Sequence, residues 1–226
     1  MITLKNITKS YGKKNVLKNM SASFKKGQVY GIIGENGSGK TTLFRCISGL
    51  ENYSGKIESD FKILKNHIGL LMTEPYFFSK ITGKEYIRLL NNARQKKLTT
   101  IETNNIFNLP LNKYASTYST GMKKKLALTA ILLQGNDCFI LDEPFNGVDI
   151  QSNIIITEII HKLKKLDKTV IIASHIYSTL VETCDEIHHL KNGNFAKKVS
   201  KKDFGLLEAE MKEITIGTNV KKLEID

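Results

Sequence analysis

Val29-Tyr30-Gly31-Ile32-Ile33-Gly34-Glu35-Asn36-Gly37-Ser38-Gly39-Lys40-Thr41 is the stretch that decides how the rest of the chain is read. Its first five residues form an apolar run broken only by glycine, the pattern of a strand buried on both faces. Gly34 to Thr41 then satisfies G-x-x-x-x-G-K-[ST]. Glycines at these positions let the chain curl so that successive backbone N–H groups point inward at phosphate oxygens. Lys40 is placed to reach the β- and γ-phosphates, and the Thr41 hydroxyl to ligate Mg²⁺. The segment Thr42-Leu43-Phe44-Arg45-Cys46-Ile47-Ser48-Gly49-Leu50 follows with apolar residues at helical spacing and a stop near glycine. Its positive end faces the same anion. A chance match in a glycine-rich loop would lack this order of strand, turn and helix.

A phosphate cradle needs a second metal ligand and a group to activate water. Cys138-Phe139-Ile140-Leu141-Asp142-Glu143-Pro144 supplies both: an apolar strand ending in carboxylates puts them at the carboxyl edge of a parallel sheet, where ligands bind in such folds. Asp142 is expected to hold Mg²⁺ through water and Glu143 to polarise the attacking water. Elsewhere, Ile2 and Leu4 alternate with polar neighbours, and a turn at Ser10-Tyr11-Gly12-Lys13 leads to a second strand ending near Phe24. From about Lys84 to about Leu133 the pattern is helical, with apolar spacing at Tyr86, Ile87, Leu89 and Leu90, again at Leu126, Leu128, Ile131 and Leu132, and Pro110 between. The β/α rhythm then resumes with a helix over Ile154 to Leu166 and a strand at Val170-Ile171-Ile172-Ala173. Such alternation argues for a parallel sheet covered on both faces. In the Lys-rich tail only a short strand near Glu213 to Ile216 is expected.

The chain has 226 residues, a size for one large domain or two closely merged lobes, and with 41% hydrophobic and 25% charged residues it has enough for a real core, which excludes disorder throughout. The densest apolar runs fall far short of the ~20 residues that cross a bilayer. Met1-Ile2-Thr3-Leu4-Lys5-Asn6 carries no long apolar stretch, so no secretory leader is expected. Cys46, Cys138 and Cys184 are widely spaced and odd in number, the usage of buried thiols in a reducing, cytosolic compartment. The net charge of +12 suits solubility, an anionic membrane surface or nucleic acid. Lys123-Lys124-Lys125, Lys164-Lys165 and Lys201-Lys202 lack the interleaved aromatics of a single-strand binder.

Between the cradle and the acidic strand lies Tyr118-Ser119-Thr120-Gly121-Met122, which opens a helix with Ser119 placed as its N-cap. This segment resembles the signature of the ATP-binding cassette (ABC) transporters, usually Leu-Ser-Gly-Gly-Gln, with Thr120 in place of the first glycine and Met122 in place of glutamine. In that order of motifs, over about Ile2 to about Val199, the chain resembles the nucleotide-binding subunit of such a transporter. The resemblance implies an α/β P-loop fold of ABC type: a mostly parallel core sheet flanked by helices, an N-terminal antiparallel β subdomain and a helical insertion. It implies a single domain over 1–226, with the helical subdomain at about 84–133 and an extension of unassigned role at about 200–226.

The same resemblance implies ATP and Mg²⁺ as cofactors, bound by Gly34, Glu35, Asn36, Gly37, Ser38, Gly39, Lys40, Thr41 and Thr42, with Tyr11 stacking on adenine. Glu143 and His175, the latter in Ala173-Ser174-His175, are the implied catalytic pair. His67, His161, His188 and His189 lack that setting. Ser119, Thr120, Gly121 and Met122 are implied to act on the ATP of a partner subunit, and Asp149 in Asn146-Gly147-Val148-Asp149 to sit at the dimer interface. Where the family has Gln touching Mg²⁺ and the attacking water, Ile68-Gly69-Leu70-Leu71-Met72-Thr73-Glu74-Pro75 offers Thr73 or, one residue on, Glu74.

The implied partners are a separate transmembrane permease subunit and a second copy or a related ATPase subunit. No nucleic acid is expected, and the implied location is the cytoplasmic face of the membrane. The signature followed by basic residues is nearer to exporter subunits than to importers. An importer subunit, a soluble ABC ATPase acting on ribosome or DNA, and a module that binds nucleotide without turning it over are the alternatives.

Overall fold

The structure is a computed structural model that describes residues 1–96, 98 and 100–210. The strand expected near Glu213 to Ile216 lies outside the described residues, as does most of the 200–226 extension. Among the described residues two sheets form. The smaller is antiparallel, with β1 (Ile2–Tyr11) between β2 (Lys14–Phe24) and β4 (Ser54–Ser59). The larger joins β3 (Val29–Ile33), β5 (Ile68–Leu71), β6 (Cys138–Asp142), β7 (Thr169–Ala173), β8 (Glu186–Lys191) and β9 (Asn194–Ser200) in the order β5-β6-β7-β3-β8-β9. All its pairings are parallel except the β8–β9 hairpin.

The continuous apolar runs of β3, β6 and β7 serve two cores at once. Side chains alternate across a sheet, so Val29, Phe139, Leu141, Val170 and Ile172 enter one cluster, with α3 (Thr120–Leu133) and α4 (Ile150–Lys165). Tyr30, Ile32, Ile140, Ile171 and Ala173 enter the other, with the small sheet and α1 (Lys40–Ile47). The strands therefore have no solvent face, which is why polar alternation is missing from their sequence.

Over the stretch expected to be helical lie α2 (Gly83–Asn92) and α3, with short 3₁₀ turns between them. Thr82 caps α2 in a reciprocal capping box with Glu85. Helix α4 begins four residues earlier than its apolar spacing suggests, because Asp149 caps it through the Ser152 amide at 2.8 Å. The strands β4, β5, β8 and β9 and the helix α5 (Tyr177–Thr183) carry no clear signal in the sequence. Gly193 turns the β8–β9 hairpin, and a helical stretch at 204–210 follows. All three cysteines are free and buried. Burial pushes their thiols up, to about 11 for Cys46 and about 12 for Cys138 and Cys184, so they remain protonated. No described helix is long and apolar enough to cross a membrane.

Candidate functional site

Parallel pairing brings the motif-bearing strand ends to one edge. Ala173 is level with both Ile32 of β3 and Asp142 of β6. The glycine loop, the acidic pair and His175 therefore emerge side by side although they are far apart in sequence. The loop leaves β3 and enters α1 through Gly39, whose φ of +112° is open to glycine and strained for other residues. Lys40 is 7% exposed and donates from Nζ to the carbonyls of Gly34 at 2.7 Å and Glu35 at 3.2 Å. Burial pulls its ammonium below the usual value, while Glu143 and Asp142 act to hold it up.

The Thr41 hydroxyl donates to Asp142 Oδ2 at 2.7 Å, and Asp142 is buried. These two oxygen donors from α1 and β6 meet at one point. They suit Mg²⁺, a hard ion that takes most of its ligands from phosphate and water. Among the described residues no group of three or more His, Cys, Asp or Glu side chains offers an all-protein metal cage.

Glu143 is 5% exposed and has φ +54°, a conformation that costs a non-glycine residue roughly 1–3 kcal/mol. Its amide donates to Ala173 O at 2.9 Å, and its Oε2 accepts the His175 amide at 3.2 Å. His175 Nε2 lies 3.0 Å from Oε1, within ion-pairing range but without hydrogen-bond alignment. Burial raises the Glu143 carboxyl above its usual value. The His175 amide and charge and Lys40 oppose that rise, and Asp142 adds to it. A buried carboxylate beside a histidine, with a cation and a second carboxylate near, is an arrangement that can take a proton from water.

A cavity of about 640 Å³ is lined by Tyr11, Lys40, Thr41, Thr73, Asp142 and His175. Asn36, Gly37, Gly39, Thr42 and Glu143 also border it. Gly34, Glu35 and Ser38 line a neighbouring cavity of about 480 Å³ that shares Asn36, Gly37 and His175 with the first. Tyr11 is 43% exposed at the end of β1, and Lys9, paired with Glu51 at 2.9 Å, sits 4.8 Å above its ring. Thr73 faces the cavity, whereas Glu74 is exposed and outside its lining.

Ser119 to Met122 line neither cavity. Ser119 caps α3 by accepting the Met122 amide at 3.3 Å, and it and Thr120 are exposed. Asp149 is likewise outside the cavities. Its carboxylate accepts from Ser152 at 2.8 Å and from Lys125 at 3.0 Å, which lowers its pKa. Sequence reasoning missed Lys14 and Val16 of β2, which border the large cavity. Only the folding of the small sheet against the glycine loop brings them there, so no motif announces them.

The family model described as "ABC transporter" matches residues 17–146. ABC transporter ATP-binding protein NatA of Bacillus subtilis is 32% identical over 213 residues, covering 85% of this chain and 87% of that protein. Linearmycin resistance ATP-binding protein LnrL of the same organism is 31% identical over 219 residues, covering 90% and 70%. In fold the chain is similar to a dimeric post-hydrolysis state of the ATP-binding cassette MJ0796 bound to ADP and Pi. The TM-score is 0.81 at 21% identity, over 89% of this chain and 99% of that one.

Proposed function

This chain belongs to the ABC transporter family as an ATP-hydrolysing subunit, and from that premise we propose that two ATP molecules clasp two such subunits head to tail. Each nucleotide would lie between the glycine loop of one subunit and Ser119 and Gly121 of the other. Glu143 polarises the attacking water, with His175 beside it, and Tyr11 stacks on the base. Thr41 and Asp142 would hold Mg²⁺, which neutralises phosphate charge when bound. Loss of the γ-phosphate removes the contact to the partner and lets the dimer open, so nucleotide state sets a two-state equilibrium. A separate permease subunit would convert that motion into transport.

One observation carries the reading: Lys40, Thr41, Asp142, Glu143 and His175 share one cavity while Ser119 and Thr120 stand exposed outside it. On this reading a single subunit would hold the hydrolytic half of a site, and Ser119 and Thr120 of its signature would be open to another, while Gly121 is buried against Gly147. Export is the favoured direction, supported by the Tyr-Ser-x-Gly-Met signature and by the resistance role in the name of LnrL.

The test is the mass of Glu143→Gln in solution with saturating ATP and Mg²⁺. Light scattering is expected to give a dimer that reverts to monomer when nucleotide is removed. A monomer under saturating ATP contradicts the sandwich. Crosslinking in native membranes is expected to capture a protein with several long apolar spans.

A further inference from the structure

Lys124 is among the most deeply buried charged side chains of the described structure, 2% exposed on the inward face of α3. Among the described residues its Nζ makes no ion pair and donates instead to two backbone carbonyls, Glu143 O and Asn146 O, each at 2.7 Å. An apolar side chain of similar length would fill that space without the cost of desolvating an ammonium. Burial does pull its pKa down, against the opposing pull of Glu143 and Asp142.

The two carbonyls bracket the turn that leaves β6. Within it Glu143 is left-handed, and the Asn146 amide donates back to Glu143 O at 3.2 Å. Lys124 binds the carbonyl side of Glu143, while Ala173 O binds its amide and the His175 amide binds its carboxylate. The same helix is welded to the same loop at two further points. A Cβ on Gly121 would fall 2.5 Å from Gly147 O, and Lys125 reaches Asp149 and Ser152.

We propose that Lys124 is a positioning residue for Glu143: it ties the exposed signature end of α3 to the backbone of the group that polarises water, so that the two move as one body. The proposal rests on the reading of Glu143 given above. Ser119, which would engage the partner's nucleotide, is thereby coupled through one helical turn and a double hydrogen bond to the carboxylate serving the subunit's own nucleotide.

The test is steady-state ATP hydrolysis by the full chain, comparing wild type with Lys124→Met, Lys124→Gln and Lys124→Arg, and with Glu143→Gln as the blank. Lys124→Met is expected to lower kcat about 100-fold, the scale of a catalytic group displaced by about 1 Å, with KM for ATP held within about twofold. Lys124→Arg, which keeps charge and donors, is expected to recover at least about a tenth of wild-type kcat on the same reasoning. Wild-type kcat in Lys124→Met, an equal loss in kcat and ATP affinity, or no rescue by arginine overturns the proposal. Should Lys124→Met lack a cooperative thermal transition, Lys124→Gln decides by the same criteria, because glutamine is neutral and is expected to satisfy one carbonyl only. A wild-type chain with no Glu143-dependent turnover sinks the hydrolytic reading and this proposal with it. Turnover that ignores Lys124 sinks the proposal alone.

Discussion

The carboxyl edge of the large sheet and the N-terminal end of α3 are the two regions proposed to meet phosphate, and they are finished differently. At the sheet edge Lys40, Asp142 and Glu143 are buried, and the groups are mutually bonded: Lys40 to its own loop, Thr41 to Asp142, and Glu143 to the amide of the exposed His175. At α3 the cap is made, but Ser119 and Thr120 face solvent and neither cavity at the sheet edge reaches them. Pre-organised groups in a low-dielectric cleft suit chemistry. A helix N-terminus whose first residues are exposed suits an anion delivered from outside. The contrast is between a region whose groups are bonded within the chain and one whose first residues are left open, and the proposed division of roles rests on it.

The largest effect expected is from Glu143→Gln, which should lower kcat about 1,000-fold, within the range general base catalysis supplies, and leave ATP affinity nearly unchanged. Nucleotide binding and hydrolysis measured in parallel check this, and comparable losses in both would erase the distinction drawn for the sheet edge. Lys40→Ala should act oppositely and weaken ATP binding about 100-fold, as expected when a charged hydrogen-bond donor is lost; titration with a fluorescent nucleotide reads it directly. Ser119→Ala sharpens the comparison from the other region. It should cost about 1 kcal/mol of stability through the lost cap, and lower hydrolysis about tenfold at the scale of one charge-assisted hydrogen bond. ATP affinity of the monomer should not move; if it falls, the signature serves its own chain.

The pH profile tests the sheet edge alone. Burial holds the Glu143 carboxyl above 4.5 and the Lys40 ammonium below 10.5. In the proposed mechanism hydrolysis needs the first ionised and the second protonated. Activity should therefore fall as pH drops through the raised carboxyl value, and again as pH climbs through the lowered ammonium value. An acid limb of kcat/KM above 4.5 that vanishes in Glu143→Gln is the expected result; a limb at or below 4.5 assigns it to another group. The smallest effect belongs to Glu74→Ala, which should change kcat by less than about twofold because a solvated charge outside the cleft acts weakly. Thr73→Ala, inside the cavity, should exceed it in the same assay.

The glycine loop, the acidic strand and the signature were legible because their chemistry is written in contiguous residues. A phosphate cradle needs its glycines and lysine at fixed spacing, and a buried parallel strand needs an unbroken apolar run. The strand β8 illustrates what was not legible. Glu186-Ile187-His188-His189-Leu190-Lys191 reads as mixed polar sequence, yet His188 is fully buried. It stacks on Phe24 at 5.7 Å and meets the edge of Phe195 at 4.9 Å, while Glu186 takes its Nε2. Those rings come from β2 and β9, and no local pattern predicts that an imidazole will find them. That Thr73 and not Glu74 borders the cavity was hidden for a similar reason, since two adjacent residues differ only in which side of the chain the fold turns inward.

By itself the amino-acid sequence determined the family, the strand–loop–helix that grips phosphate, the identity of the two carboxylates and the helical character of the insertion. Each depends on spacing within a few residues, and such spacing survives in a linear string. Tertiary structure alone decided that Ala173 would lie level with both Ile32 and Asp142, that Glu143 would take a left-handed backbone under the His175 amide, and that Lys124 would reach across from α3 to hold it. Those contacts join segments separated by up to about 140 residues, and hydrogen bonds of that reach are selected by how whole sheets and helices pack rather than by their neighbours in sequence.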